Sequence, residues 1–363
     1  MTDEEVERLQ QIPIIVEAGH QSIPDPEIMV VLLNMGGPKT NADVKDFQKR
    51  LFTDPLLIRF PLSWAFQELF AALLIAFRSK EAERRYRLIG GGSPIYQSTK
   101  NQAKALQIEL DKRGRSLQVI FSFNYSPPLP DETIHEVQKA GKKYLLPLSL
   151  YPHYSKATTG SNIHYLKKSA QSIYPELHFL DAPRYYLDDN YIKAFADRVL
   201  EEIHPGESLD DFYLIFSAHG LPLYFLAEGD LYPYQISQTV AKVLANLDRD
   251  DQWTIAYQSA VGPLQWLKPS TGDMLKALAK RNVKNVIIVP ISFVTDHIET
   301  TCEIDMEYRK IAEDLGINDF RMSKALECHA GFITALADSV EKTLQTPMDS
   351  NLEKQKNQIS AVV

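Results

Sequence analysis

An α/β architecture is predicted, built as two similar doubly wound lobes, each a parallel sheet flanked by helices, with a cleft between them. Three observations predict it. Short, uninterrupted apolar runs alternate with longer amphipathic ones along the chain, and strand–helix–strand alternation gives parallel sheets with helices on both faces. The first half has an echo in the second: a strand leading into Met35-Gly36-Gly37-Pro38 is matched by one leading into His219-Gly220-Leu221-Pro222, and Pro147-Leu148-Ser149 by Pro290-Ile291-Ser292. The length, 363 residues, is about two domains' worth of chain.

Buried strands are read at Met29–Leu33, Gln118–Phe123, Tyr144–Leu150, Phe212–Phe216, Thr254–Tyr257 and Val286–Phe293, because runs of this length and composition suit strands covered on both faces. Between them helical periodicity marks Gln102–Arg113, Pro130–Ala140, Asp189–Ile203, Gln235–Leu247 and Gly272–Arg281. The lobes are then residues 28–185 and 186–345, with an N-terminal extension 1–27 and a polar tail 346–363. Ligands of such sheets sit beyond the carboxyl ends of the strands. That rule places Met35 and His219 at corresponding positions on opposite walls of one cleft.

Composition narrows the function. With 44% apolar and 24% charged residues, 16 glycines and 21 prolines, disorder and low-complexity scaffolds are excluded. A net charge of −8 argues against a nucleic-acid partner. Two cysteines, Cys302 and Cys328, exclude a disulfide framework or a four-cysteine zinc site and suit a reducing compartment. Met1–Gln11 is acidic, with neither the basic start nor the apolar core of an export signal, so a cytoplasmic protein is expected. The most apolar stretch, Leu62–Phe77, has 16 residues and is interrupted by Gln67 and Glu68, short of the ~20 needed to span a bilayer. It reads either as a core helix with its polar side out or as a helix resting on a membrane, since Trp64, Phe66, Phe70 and Phe77 exceed one buried stripe.

Chemistry concentrates at two strand ends. After Val286–Phe293 come five carboxylates between Asp296 and Glu307, with no Lys or Arg among them. In a helix, Glu299, Glu303 and Glu307 stack at i, i+4 and i+8, and such like charges repel. The stretch is either a solvated acidic face or a ladder compensated by a cation or mobile protons; its start at a strand end favours the second. His219 follows another buried strand. Alone it reads as a satisfied polar residue; beside a carboxylate ladder it reads as a base near neutral pH and, with Glu299, as a loose ligand for a divalent metal. Gly90-Gly91-Gly92-Ser93-Pro94 lacks the spacing of a phosphate loop and reads as a permissive turn. A nucleophile elbow is missing.

The stretches LNMGGP (33–38), YRLIGGGSPI (86–95), YPHYS–TTGS (151–161), LIFSAHGLP (214–222), GDLYPYQ (229–235), YQSAVGPLQWLKP (257–269) and PISFVTDHIET (290–300) together resemble ferrochelatase. The resemblance runs from about residue 29 to 345 in the family's order. It implies a chelatase-like pair of Rossmann-like lobes and a lyase of haem biosynthesis that inserts Fe(II) into protoporphyrin IX with release of two protons. It also implies roles: His219 and Glu299 as catalytic pair and metal ligands, with Asp296, Glu303 and Glu307 on a proton or metal path. Met35, Tyr125, Trp266 and Phe293 would contact the porphyrin, His297 would belong to the same site, and Arg78, Tyr86 and Ser93 would anchor the propionates. The apolar lip 51–77, with Leu51, Phe52, Leu56 and Leu57, would touch the inner face of the membrane peripherally. The imidazole and Glu299 are expected to meet across a gap wide enough for a tetrapyrrole disc.

The bottom-up physics agrees, since a flat macrocycle needs apolar walls with a few polar groups at its edge and loss of pyrrole protons needs a base. Fe(II) is then a substrate, and no permanent cofactor is expected. Lys156 stands where iron–sulfur members of the family carry a cysteine and no C-terminal cysteine trio occurs, so no cluster is expected. Asn124 replaces a common arginine, and Thr301-Cys302 a common leucine–tyrosine pair; Cys302 is a small apolar filler or a weak thiolate ligand. Three alternatives stay open: a coproporphyrin-using enzyme, a non-catalytic porphyrin or haem binder on the same scaffold, and a chelatase for cobalt or nickel.

Overall fold

The computed structural model describes residues 23–58, 63–262 and 264–345. Two four-stranded sheets, parallel throughout, organise them. The first holds β1 (Ile28–Asn34), β2 (Gln118–Phe123), β3 (Tyr144–Ser149) and β4 (His178–Phe179) in the order β2-β1-β3-β4. The second holds β5 (Tyr213–His219), β6 (Trp253–Gln258), β7 (Asn285–Val289) and β8 (Asp319–Met322) in the order β6-β5-β7-β8. One topology is used twice. In each sheet the chain leaves the first strand to one side and later crosses to the other, so β1/β3 and β5/β7 are switch points. Loops diverge there and leave a crevice beyond the strand ends.

The helices are α1 (Val44–Phe52), α2 (Ser63–Leu88), α3 (Ile95–Lys112), α4 (Pro130–Lys139), α5 (Ser161–Ile173), α6 (Asp189–Leu200), α7 (Leu223–Ala227), α8 (Tyr232–Asn246), α9 (Thr271–Lys280), α10 (Arg309–Asp314) and α11 (Ala330–Gln345). Two further segments, Lys156–Gly160 and Ile298–Tyr308, are π-helical. Local signals explain the boundaries. Asp188 caps α6 by accepting from Asn190 N at 3.0 Å, and Ser270 caps α9 by accepting from Asp273 N at 3.1 Å. Pro130 opens α4 where a missing N–H costs nothing.

Alternate residues of each strand feed different cores. Ile28, Val30 and Leu32 of β1 share one apolar cluster with Leu214 and Phe216 of β5, Ile287 and Val289 of β7, and Tyr191, Phe195, Phe332, Leu336 and Val340 of α6 and α11. Met29, Val31 and Leu33 face the other way, against Ile134, Val137 and Leu166. Because α11 packs on both α3 and α6, the two sheets share their largest core. Each fully buried Leu or Phe contributes about 1.5–3 kcal/mol, so neither sheet keeps its inner face covered alone.

Several expectations need correction. The predicted strand Val286–Phe293 ends at Val289; Pro290 has no N–H to extend the ladder, and Ile291 N instead reaches Ser217 O at 3.0 Å. Pro147, its supposed counterpart, lies inside β3 and pairs with Val31. Odd-numbered residues of β3 point towards β4, which is over by Phe179, so the missing N–H of Pro147 faces no strand. The two prolines are not equivalent. Strands β4 and β8 went unread because both are short edges with mixed burial.

The apolar stretch read at Leu62–Phe77 is the front of a 26-residue helix, α2, that runs on to Leu88. Leu62 and the side chains of Trp64 and Phe66 lie outside the described residues, as do residues 1–22 and 346–363 of the extension and tail. Ala71 is buried, whereas Leu69, Leu73 and Phe77 are exposed, Phe77 by 83%. Among the described residues, no helix is long and apolar enough to cross a membrane.

Candidate active site

His219 is the last residue of β5, at the switch point of the second sheet. Its backbone is held from two sides: its N–H donates to Ser292 Oγ at 3.0 Å, and its carbonyl accepts from the Tyr232 hydroxyl at 3.0 Å. Gly220 follows because nothing larger fits; a Cβ there would stand 2.8 Å from Gln258 O and 3.4 Å from the Trp266 ring. Trp266 thus lies over the residue next to the imidazole, its Nε1 donating to Val261 O at 3.0 Å.

Glu299 comes from the segment after β7. His297, in extended backbone, turns the chain into the eleven-residue π-helix Ile298–Tyr308. Thr300 closes that start: its hydroxyl lies 3.0 Å from His297 N and 3.0 Å from Asp296 Oδ1. Asp296 is therefore engaged at the helix start. Glu299 sits in the first turn, where backbone N–H groups favour an anion. Its Oε2 lies 2.8 Å from His219 Nδ1 and 4.0 Å from His297 Nε2.

The expected gap between His219 and Glu299 is absent; the two are directly bonded. Among the described residues the other ring nitrogen, Nε2, carries no hydrogen bond. The His219 side chain is 37% exposed and that of Glu299 24%. Phe293 stands edge-on to the His219 ring at 6.4 Å and packs on His297 at 4.5 Å, so the two histidines flank one aromatic wall.

These contacts set the charges. Burial pulls the His219 pKa down, but the charge and hydrogen bond of Glu299, helped by Glu303, carry it above the ordinary imidazole value. For Glu299 burial works upward and is overcome by His219, His297 and a Ser259 hydrogen bond, which hold the carboxyl at about 2. Burial lowers His297 despite Glu299 and Asp296, and its Nδ1 is buried without a partner. Glu303 moves the opposite way to Glu299: burial and the Glu299 charge raise it, against two hydrogen bonds from Ser259. Two carboxylates one rung apart are thus split into a firm anion and a ready proton acceptor.

The ladder stands on one side of the π-helix, but its rungs are not unpaired. Glu303 takes Ser259 N at 2.9 Å, Ser259 Oγ at 2.6 Å and the Tyr308 hydroxyl at 3.2 Å. Ser259, just past β6, holds a left-handed φ of 64°, a conformation costing about 1–3 kcal/mol that those two bonds offset. Glu307 pairs with Arg85 of α2 at 2.9 Å, and Cys302 Sγ lies 3.7 Å from it. Cys302 is fully buried and its pKa is raised, first by burial, which suits the filler reading. Among the described residues no three His, Cys, Asp or Glu are grouped to hold a metal ion.

The first sheet supplies the opposite wall. Met35 follows β1 and is half-buried; Tyr151 follows β3. Burial, then the charge of Glu299, raises the pKa of Tyr151 and of Tyr86 near the end of α2, so both hydroxyls stand within electrostatic reach of the pair. Two further expected anchors are Arg78 and Ser93. Arg78 is exposed on α2, about two turns before Tyr86. Ser93 packs against Gly37, and its hydroxyl accepts from Ile95 N at 3.4 Å.

Tyr125 is 4% exposed, and its hydroxyl donates to Asp54 at 2.5 Å, so its polar end is already committed. Asp54, Arg85, Tyr151 and Ser259 were missed. Tyr151 and Ser259 were findable by the strand-end rule that picked out His219; the other two depend on partners far away in sequence.

Residues 27–344 match the family described as Ferrochelatase. Relatives bearing that name are found in Synechococcus elongatus, 41% identical over 322 residues (88% of this chain, 83% of the relative), and in Rippkaea orientalis, 40% identical over 321 residues with the same shares. That of Synechocystis sp. is also 40% identical, over 322 residues. Among solved structures, SirB from Bacillus subtilis with Fe3+ superposes with a TM-score of 0.51 at 16% identity, over 68% of this chain and 90% of that one; a likeness at that identity speaks for the fold. With a family match spanning nearly the whole chain and relatives at about 40% identity, this chain belongs to the ferrochelatase family.

Proposed function

We propose that this ferrochelatase, an iron-inserting lyase of haem biosynthesis, uses protoporphyrin IX and works at the His219–Glu299 pair. The observation that carries the reading is the 2.8 Å bond from Nδ1 to Glu299, which leaves Nε2 towards the crevice. A disc laid against Nε2 has Trp266 and Phe293 on the His219 side and Met35 on the other. As Fe(II) enters, two pyrrole N–H bonds break and their electron pairs go to the metal. His219, once it has shed its Nε2 proton, takes the two pyrrole protons one after the other, Glu299 stabilises the imidazolium formed each time, and Glu303 passes each proton outward. Fe(II) is consumed as substrate, so the step needs no resident cofactor and no iron–sulfur cluster.

The choice of protoporphyrin rests on the Tyr86–Ile95 stretch. Peripheral contact with the inner face of a membrane is supported by Leu69, Leu73 and Phe77, which share one exposed stripe of α2 at i, i+4 and i+8. The test mixes purified protein, anaerobic Fe(II) and protoporphyrin IX and follows the metalloporphyrin absorption bands. Catalytic turnover, abolished in His219→Ala, is expected. A bound but unchanged porphyrin would make the protein a binder, faster turnover with coproporphyrin would reassign the substrate, and turnover with cobalt or nickel alone would reassign the metal.

A further inference from the structure

The outermost rung of the ladder is occupied by a side chain from the other sheet's lip helix. Arg85 lies near the end of α2, 222 positions from Glu307, and its Nη2 stands 2.9 Å from that carboxylate. Both side chains are about one-third exposed, at 36% and 35%, so the pair lies where the ladder opens to solvent. The next residue of the helix, Tyr86, feels the charge of Glu299 at the inner end. The end of α2 therefore pairs with the outer end of the ladder, and α2 is also the helix that carries the exposed apolar stripe.

A guanidinium on a carboxylate competes with any other cation for the same oxygens. A metal ion arriving along the ladder must therefore displace Arg85 before it reaches Glu303 and Glu299. We propose that Arg85 is the gate of the acidic ladder: it holds Glu307 until a metal ion competes it away or α2 shifts as a porphyrin enters. This rests on the proposed function, and on the ladder carrying the incoming metal as well as the outgoing protons. Arg85 touches neither reacting atom; it is a positioning residue that sets access.

The test measures steady-state insertion of Fe(II) under anaerobic conditions for wild type, Arg85→Gln, Arg85→Lys and the double variant Glu303→Gln/Glu307→Gln. Losing a competitor worth a half-exposed ion pair is expected to lower KM for Fe(II) in Arg85→Gln by about two- to fivefold, with kcat and the porphyrin KM unchanged. Arg85→Lys keeps the charge and is expected to keep the wild-type KM. A merely structural arginine would move kcat and both KM values together, which would overturn the gate. An unchanged KM for Fe(II) in Arg85→Gln, beside slowed turnover in the double variant, overturns the gate and leaves the ladder standing. Unchanged turnover in the double variant overturns the ladder itself. Arg85→Met, which keeps the apolar stem, repeats the measurement should the glutamine variant lose its fold.

Discussion

His219 and Glu299 owe their protonation states to each other. Burial alone would leave the imidazole neutral and the carboxyl high; at 2.8 Å apart they instead favour the ion pair. The sign follows: His219 keeps its proton to higher pH than an ordinary imidazole, and removing the Glu299 charge hands control back to burial. In Glu299→Gln the His219 ring is therefore expected to titrate at lower pH than in wild type, read by NMR of labelled histidine. A midpoint that stays put or rises would show that Glu299 does not set it. Both residues were legible in the sequence because each follows an apolar strand. Their direct bond was not, since it depends on where β5 and β7 end and on the turn at His297.

Elements carry the next level of control. The lip segment after α1 is pinned by Asp54, a carboxylate 3% exposed that accepts from Tyr125 at 2.5 Å, Tyr165 at 2.8 Å, Ser161 at 3.1 Å and Leu56 N at 2.8 Å. Those donors come from the end of β2 and from α5, so one residue ties the lip to the first sheet. Asp54→Asn replaces an acceptor oxygen by a donor and leaves buried hydroxyls without a partner; a loss of about 1–3 kcal/mol is expected. Amide hydrogen exchange should quicken over residues 44–58 first, and uniform quickening across the chain would argue against a local pin. Periodicity announced the helix after Asp296 but not its π character, because the spacing of four that stacks the glutamates is common to both kinds of turn.

At the scale of the whole molecule the two sheets behave as one body. Arg113, just after α3, reaches Asp338 and Glu341 of α11, each at 2.7 Å. Gln102 donates to Val294 O and Glu327 O. On the opposite side Asp230 accepts from Ser155 Oγ at 2.7 Å and Lys156 N at 2.9 Å, which gives the YPHYS and GDLYPYQ stretches a structural role. Leu336 of α11 is fully buried in the shared core. Leu336→Ala is expected to cost about 3 kcal/mol and to shift a single unfolding transition without splitting it. Two separated transitions would show that each sheet folds on its own.

Six of the eight described strands, the doubling of the two halves and the positions of His219 and the glutamates were decided by the sequence alone. Each is written in local patterns: apolar runs of strand length, helical periodicity, and polar residues placed just after a strand. Tertiary structure alone decided the partners. Arg85 finds Glu307 across 222 positions, Asp54 gathers three hydroxyls from two distant segments, and α11 returns to cover α3. Hydrogen bonds and ion pairs act over about 3 Å, so no pattern within a segment records which distant segment packing will bring that close.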